Sequence, residues 1–152
     1  MQAKTHLMFG VIVSIFAVYF FPKLLFYVPF ILLGSLLPDI DHPNSKLGRK
    51  IWPISKLLNL IFGHRGFFHS IFFVLLISIP IGIYFGSSFG FAIALGVFSH
   101  LLSDALTVSG VALFYPFFNF KIKGFVKTGS WLENLIYIGL YLLAGYIIYR
   151  MI

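Results

Sequence analysis

The stretch FGFAIALGVFSHLLSDAL, residues 89–106, decides the fold, because it is apolar enough for lipid yet carries a polar pair near its end. Eighteen helical residues rise about 27 Å, close to the ~30 Å hydrocarbon core of a bilayer. His100 and Asp104 are four positions apart, so their side chains lie on one helix face, one turn from each other. The stretch therefore predicts a membrane-spanning helix with two candidate ligands at one end.

The composition of the whole chain also indicates a protein that is surrounded by lipid. Of its 152 residues, 60% are hydrophobic and only 10% are charged, against roughly 25% charged in an ordinary soluble domain. We interpret residues 1–152 as one membrane-embedded domain. The net charge of +7 is more typical of membrane topology and attraction to anionic lipid headgroups than of nucleic-acid binding.

Several other apolar runs flank this stretch, and together they predict an all-α integral membrane protein with about five hydrophobic helices. The second run, residues 24–37, rises only about 21 Å, so it is either a short span or half of a re-entrant pair. Residues 51–62 are too short to span and predict a helix lying in the membrane interface. The remaining runs are residues 6–21, 67–85 and 131–150.

Two segments leave alternatives open. Residues 6–21 follow Lys4 as in a signal peptide, but no small-x-small cleavage site precedes residues 21–23, so we expect a retained helix. Residues 107–130 contain alternating Phe and Lys positions and form either a small hairpin or an irregular loop.

Charge distribution predicts the orientation. If all five runs cross, the N-terminus and the connections 39–66 and 107–132 share one side of the membrane. Nine of the eleven Lys and Arg residues then lie on that side, which the positive-inside tendency assigns to the cytoplasm. We therefore expect a multi-pass protein of the cytoplasmic membrane whose N-terminus faces the cytoplasm.

All five histidines and all four carboxylates fall on this same face. Charged residues avoid the lipid core, and the carboxylates could simply neutralise nearby cations, but neither explanation gives the histidines a role. We therefore expect one shared metal site on the cytoplasmic side. The candidate ligands are His6, Asp39, Asp41, His42, His64, His69, His100, Asp104 and Glu133.

The types of donor suggest the chemistry. The chain has no Cys, so any metal is held by His nitrogen and carboxylate oxygen, which fits zinc, with manganese as the alternative. This many donors exceeds what one ion takes, so we expect two or three ions, an arrangement that favours hydrolysis of phosphate esters. Asp41 and Glu133 are candidates for a catalytic base. Arg65 is either a clamp for an anionic oxygen or a headgroup-binding, positive-inside arginine.

Several motifs, in matching order over residues 5–134, resemble those of the membrane-bound, metal-dependent hydrolases of the LexA-regulated, YdjM-type family. They are HLMFG, GSLLPDIDHPNS, GHRGFFHS, SHLLSDALTVSGV followed by YPF, and GSWLEN. The family is distantly similar to the zinc-dependent phospholipase C and single-strand nuclease group, which binds three zinc ions. That resemblance implies metal ligands at His6, Asp39, His69, His100 and Asp104, and ligands or supporting residues at Asp41, His64 and Glu133.

The sequence thus predicts a hydrolase at the cytoplasmic membrane surface, acting on a phosphoester, another small molecule or a lipid-derived substrate. Lys46, Arg49 and Lys50, with the lysines of residues 121–127, would attract anionic headgroups. The alternatives are a transporter of divalent metal or another ion, and a membrane protein whose metal only ties helices together. Transport is less favoured because the midplane positions of the runs are apolar.

Overall fold

The computed structural model describes residues 1–63 and 65–151. In this part of the chain the α-helices form the frame, and the β-structure consists of two isolated bridges, Thr107–Val126 and Val111–Ile122. The predicted all-α architecture is therefore confirmed. The α-helices are α1 (Ala3–Phe20), α2 (Val28–Gly34), α3 (Trp52–Phe62), α4 (Ile71–Phe85), α5 (Ser87–Ala105) and α6 (Trp131–Met151).

Helix α5 is the central element, since it packs against α1, α2 and α4. The backbones approach closely at glycines: a Cβ at Gly96 would lie 2.1 Å from the carbonyl oxygen of Ile31 in α2, and one at Gly90 would lie 2.5 Å from that of Ser78 in α4. Small residues permit such contact between helices in lipid. By contrast, α6 packs mainly along α1, and far fewer of its residues are buried than in α5.

The second apolar run is broken into three pieces. A 3₁₀ segment, Pro22–Tyr27, leads into the seven-residue α2, and a second 3₁₀ segment, Leu37–Asp41, follows. The whole segment Pro22–Asp41 is nevertheless long and apolar enough to cross a membrane, as are α1, α5 and α6. The run that the sequence predicts to be a short span or half of a re-entrant pair is thus an interrupted helix, with prolines in the first turn of each piece.

The third run forms a shorter helix than the sequence predicts. Phe67–His69 is a 3₁₀ turn, and the Oγ of Ser70 accepts the N–H of Phe73 at 3.3 Å, which caps the first turn of α4. The α-helix therefore has only 15 residues, a rise of about 22 Å. The cap holds His69 outside the helix, in the turn that faces the donor residues of α5.

The amphipathic helix predicted for residues 51–62 is present as α3. Its inner face is polar: Ser55 is buried, and Asn59 donates through Nδ2 to the carbonyl oxygen of Asp41 at 2.9 Å. Its outer face exposes Ile54 and Leu60 among other apolar side chains. A soluble helix has the opposite arrangement, so this polarity is typical of a helix that lies on a bilayer.

The connection between α5 and α6 is an irregular loop and not a regular hairpin. We call residues 107–127 the aromatic loop. The Val111–Ile122 bridge has N–O distances of 2.9 and 3.0 Å, and the N–H of Val126 bonds to the carbonyl of Leu106 at 3.0 Å. Val111 and Val126 are buried, so this loop has a fixed path next to the end of α5.

Candidate metal centre

Four chain segments bring five donor side chains together, and we call these residues the donor cluster. The start of α1 contributes His6, the 3₁₀ segment Leu37–Asp41 contributes Asp39, and the turn before α4 contributes His69. His100 and Asp104 come from the last turns of α5. Two sets of three donors lie within 4.8 Å of one another: His69, His100 and Asp104, and His6, Asp39 and His100.

The hydrogen bonds of His100 fix which of its nitrogens faces the cluster. Nδ1 lies 2.8 Å from the carbonyl oxygen of Ser35, so Nδ1 must be the donor and carry a proton. In the neutral ring Nε2 then has a lone pair. This Nε2 lies 3.2 Å from Nε2 of His69 and 3.8 Å from an oxygen of both Asp39 and Asp104.

His69 is oriented in the same way by a carboxylate. Its Nδ1 lies 3.3 Å from Oδ2 of Asp41, which also accepts the backbone N–H of Arg65 at 3.2 Å. An imidazole with its Nδ1 proton directed at a carboxylate presents the lone pair of Nε2 on the other side. That Nε2 is 3.5 Å from Oδ2 of Asp104. Asp41 therefore supports His69 from behind and lies outside both three-donor sets.

His6 lies between two acceptors and so differs from His100. Its Nδ1 lies 2.6 Å from Oγ of Ser103, and this hydroxyl donates its own proton to the carbonyl oxygen of His100 at 2.8 Å. Its Nε2 lies 3.0 Å from the carbonyl oxygen of Met1 and 3.7 Å from Oδ1 of Asp104. A neutral His6 has one ring proton for these two acceptors, Ser103 and Met1.

Asp104 contacts donors of both three-donor sets, which share His100. Its Oδ1 accepts the α-amino group of Met1 and, at 3.0 Å, Nη2 of Arg65. Its Oδ2 is buried, and no hydrogen-bond donor for it is found in residues 1–63 and 65–151. That oxygen faces Nε2 of His69 and His100, so it meets acceptors on that side.

These donors fit a divalent metal. In a tetrahedral zinc site with bonds of about 2.0–2.1 Å, neighbouring ligand atoms lie about 3.3–3.4 Å apart. The distances among Nε2 of His69, Nε2 of His100 and Oδ2 of Asp104 are 3.2, 3.5 and 3.8 Å. Two imidazoles and one carboxylate from the described residues supply three of the four donors of a tetrahedral site. His100 belongs to both sets but offers a single nitrogen, so it can bind only one ion at a time.

Two other predicted site residues, His42 and Glu133, lie outside both three-donor sets found among the described residues. His42 is half-buried, and its Nδ1 accepts the N–H of Asn44 at 3.2 Å. Glu133 is buried at the start of α6, where it accepts from the N–H of Gln2 at 2.6 Å, Thr5 Oγ1 at 2.9 Å and the N–H of Gly129 at 2.6 Å. Glu133 therefore ties α6 to α1. The prediction for His64 lies outside the described residues.

Arg65 lies between the donor cluster and the aromatic loop. In addition to its bond to Asp104, its Nη1 donates to Oγ1 of Thr107 at 2.8 Å and to the carbonyl oxygen of Gly110 at 3.4 Å. Its backbone has a positive φ of 65°, which is uncommon for a residue other than glycine. The side chain is 8% exposed and lines a cavity. Arg65 thus adds a positive charge to the cavity wall beside the donor cluster.

This cavity has a volume of about 780 Å³, and Asp39 and His42 also line it. The other cations in its wall are the side chains of Lys4, Lys46, Arg49 and Lys121, and the N-terminus adds Met1. The cavity therefore joins the donor cluster to a strongly basic opening.

Sequence reasoning missed the groups that orient the imidazoles. The sequence analysis did not include Ser103 in the site, yet its hydroxyl lies 2.6 Å from Nδ1 of His6. Its position three residues after His100 was a usable signal, since it places the two residues on one helix face. The carbonyl oxygen of Ser35 had no such signal, because any residue supplies a backbone carbonyl.

The fold and the donor cluster define a multi-pass helical membrane protein with buried His and Asp side chains near one end of its helices. The family model described as "YdjM inner membrane protein" matches residues 1–152, and the chain belongs to that family. Membership of the YdjM family, predicted from the motifs, is thereby confirmed, whereas the metal-dependent hydrolase activity stays a prediction. The predicted multi-pass membrane location is also supported by this match and by the apolar helices.

Alignments with similar proteins cover nearly all of the chain. It is 34% identical to the uncharacterized protein YvsG of Bacillus subtilis over 158 aligned residues, which cover 99% of this chain and 96% of that protein. It is 37% identical to the inner membrane protein YdjM of Escherichia coli over 156 aligned residues, which cover 93% of this chain and 80% of that protein. The YdjM of Shigella flexneri matches with the same values. No solved structure matches the chain.

Proposed function

We propose that this protein is a metal-dependent hydrolase of phosphoester bonds that works at the cytoplasmic surface of the membrane. One observation carries the proposal. Nε2 of His69 and Nε2 of His100 lie 3.2 Å apart, next to a buried oxygen of Asp104, and with the proton of each ring on Nδ1 both Nε2 atoms are acceptors. Three acceptors so close together repel each other unless a cation lies among them. One proton relieves one acceptor pair, whereas a divalent metal relieves all three contacts.

The roles of the ligands follow from the directions of their donor atoms. His69, His100 and Oδ2 of Asp104 would hold the first ion. His6 and Asp39 belong to a second set of donors that shares His100 with the first, so they lie beside this ion. A divalent metal bound there would polarise a phosphoryl oxygen and make water a better nucleophile near neutral pH. Zinc suits the mixture of imidazole and carboxylate donors.

Asp39 takes the role of general base in this proposal. It is the carboxylate of the donor cluster that lines the cavity, and its side chain is 13% exposed. It can therefore reach a water molecule that enters from the cavity and accept its proton. Asp41 and Glu133 were the candidates from the sequence. Asp41 is fully buried behind His69, and Glu133 accepts three hydrogen bonds elsewhere. In this proposal Asp41 therefore positions His69, and Glu133 stabilises the fold.

The charge of the cavity favours an anionic substrate. Arg65 is held beside Asp104 by a 3.0 Å hydrogen bond and lines the cavity, so it would stabilise negative charge on a phosphoryl group near the metal. The lysines and Arg49 in the outer wall raise the local concentration of anions. A carboxyl ester or a peptide would make little use of this much positive charge.

Metal content and phosphodiesterase activity of the purified full chain test the proposal. Zinc bound per protein is measured after dialysis in detergent for the wild type, His100→Ala and His42→Ala. We expect zinc in the wild type and in His42→Ala, since His42 lies outside both donor sets, and loss of zinc in His100→Ala. Hydrolysis of bis(p-nitrophenyl) phosphate should follow the zinc content. A wild-type protein without metal after repletion, or equal zinc in His100→Ala, would refute the metal centre.

A further inference from the structure

The aromatic loop exposes an unusual amount of apolar surface. Five of its phenylalanines are between 52% and 76% exposed, a degree of exposure that a loop in water rarely maintains. The surrounding backbone is fixed by the bridge between Val111 and Ile122 and by the buried side chain of Val126. The exposed rings therefore form a structured surface and not a loose chain. They are Phe114, Phe117, Phe118, Phe120 and Phe125.

This apolar surface continues the lipid-facing side of α4. The N–H of Ile71 donates to the carbonyl oxygen of Leu113 at 2.9 Å, and the rings of Phe72 and Phe117 lie 5.2 Å apart. Further along α4, the apolar side chain of Leu76 is 60% exposed. The aromatic loop thus stands at the end of α4 that is near the donor cluster.

The length of α4 explains why lipid would cover this loop. Its 15 residues rise about 22 Å, which leaves about 8 Å of a ~30 Å hydrocarbon core unmatched. A short span is accommodated by a thinner bilayer or by additional apolar surface at its end. The phenylalanines of the aromatic loop supply that surface at the end of α4 where the loop is attached.

The aromatic loop also carries exposed cations that can bind lipid headgroups. Lys121, Lys123 and Lys127 alternate with apolar residues and are exposed. Lysines at this depth attract anionic lipids, and phenylalanines insert beside their acyl chains. Lys121 also lines the cavity that leads to the donor cluster. The same loop therefore contacts both the lipid surface and the entrance of the site.

We propose that the aromatic loop is inserted in the leaflet next to the site and that it passes anionic phospholipid headgroups from the bilayer to the cavity through Lys121. The substrate part of this inference rests on the proposed function, because it identifies the phosphoester as that of a membrane lipid. The insertion part does not depend on any bound metal.

Insertion is tested with single cysteines, for which the Cys-free chain is a ready background. Phe118→Cys and Phe120→Cys are labelled with a fluorophore in vesicles of phosphatidylcholine and phosphatidylglycerol, with Thr128→Cys in the cavity wall as the control. We expect quenching by lipids that carry a nitroxide on the acyl chain at the two loop positions, and quenching by iodide at the control. Iodide quenching at all three positions would overturn insertion. Protection of the loop from both quenchers would also overturn it and would indicate a second protein copy.

Headgroup delivery is tested by the fluorescence of the Thr128→Cys label when phosphatidylglycerol is added to phosphatidylcholine vesicles. We expect a response that is about fivefold weaker with Lys121→Gln, the loss expected for one lysine near an anionic surface. An equal response to water-soluble glycerol phosphate, or an unchanged response with Lys121→Gln, would overturn delivery from the bilayer. The same measurements in His100→Ala separate this inference from the proposed function, because insertion and headgroup binding should survive loss of the metal.

Discussion

The carboxylate behind His69 offers a sharp test of the metal centre. Asp41 is fully buried, with Oδ2 3.3 Å from Nδ1 of His69 and 3.2 Å from the backbone N of Arg65. Asp41→Asn keeps the size of the side chain and removes its charge. The imidazole then loses the charged acceptor that keeps its proton on Nδ1 and directs the lone pair of Nε2 toward Asp104.

The expected effect is a weaker site and not a missing one. Removal of a hydrogen-bond partner behind a metal-bound histidine typically lowers metal affinity by about 10- to 100-fold, or roughly 1.4–2.7 kcal/mol. All three donor atoms of the His69, His100 and Asp104 set remain in Asp41→Asn, so the number of bound ions should stay the same. Asp104→Asn, in contrast, removes a donor from the set itself and should abolish binding at the same zinc concentration.

Competition against a chromophoric zinc chelator, with protein in detergent, measures both variants on one scale. Thermal unfolding of the same samples shows whether Asp41→Asn has kept the fold. A folded Asp41→Asn protein with wild-type affinity would refute the supporting role of Asp41. Complete loss of zinc, as in Asp104→Asn, would instead make Asp41 a direct ligand, which was one of the predictions from the sequence.

Two further predictions concern stability. Gly96→Ala should lower the melting temperature markedly, because its Cβ would lie 2.1 Å from the carbonyl oxygen of Ile31. Gly145→Ala should leave the melting temperature unchanged, because no atom lies within 4 Å of its Cβ among the described residues. Equal melting temperatures of the two variants would contradict this account of the α2–α5 contact. Glu133→Ala should cost about 2–4 kcal/mol and lower the melting temperature by about 5–15 °C, because three hydrogen-bond donors lose their acceptor. Its zinc content should match the wild type, and a loss of zinc without a loss of stability would return Glu133 to the ligand set.

The sequence was sufficient to predict the helical membrane fold, because the apolar runs are long and polar groups are rare within them. It was also sufficient to bring His100 and Asp104 to one face of α5, since helical spacing alone places them there. The grouping of His6, Asp39 and His69 with this pair followed from membrane topology. Helix ends that share one membrane face are places where such side chains avoid lipid.

The roles inside the site depended on contacts between segments that are far apart in the sequence. Nothing around Glu133 distinguishes a ligand from an acceptor for Gln2 and Thr5, which are more than 120 positions away. Asp39 and Asp41 have similar sequence surroundings, yet the 3₁₀ turn places one in the cavity wall and buries the other. The interruptions in the second run, and the Ser70 cap that shortens α4, likewise depend on local backbone geometry that periodicity does not describe.

The central place of α5 also has a consequence for biogenesis. His6 enters the membrane surface about 98 residues before Asp104 is synthesised, which at 5–20 residues per second is an interval of roughly 5–20 s. His6, and then Asp39 and His69 once they are synthesised, wait for the helix that supplies His100 and Asp104. Insertion of α5 therefore completes the donor cluster in a single late step, and a nascent chain that stops before this helix would reach the bilayer with an incomplete donor cluster.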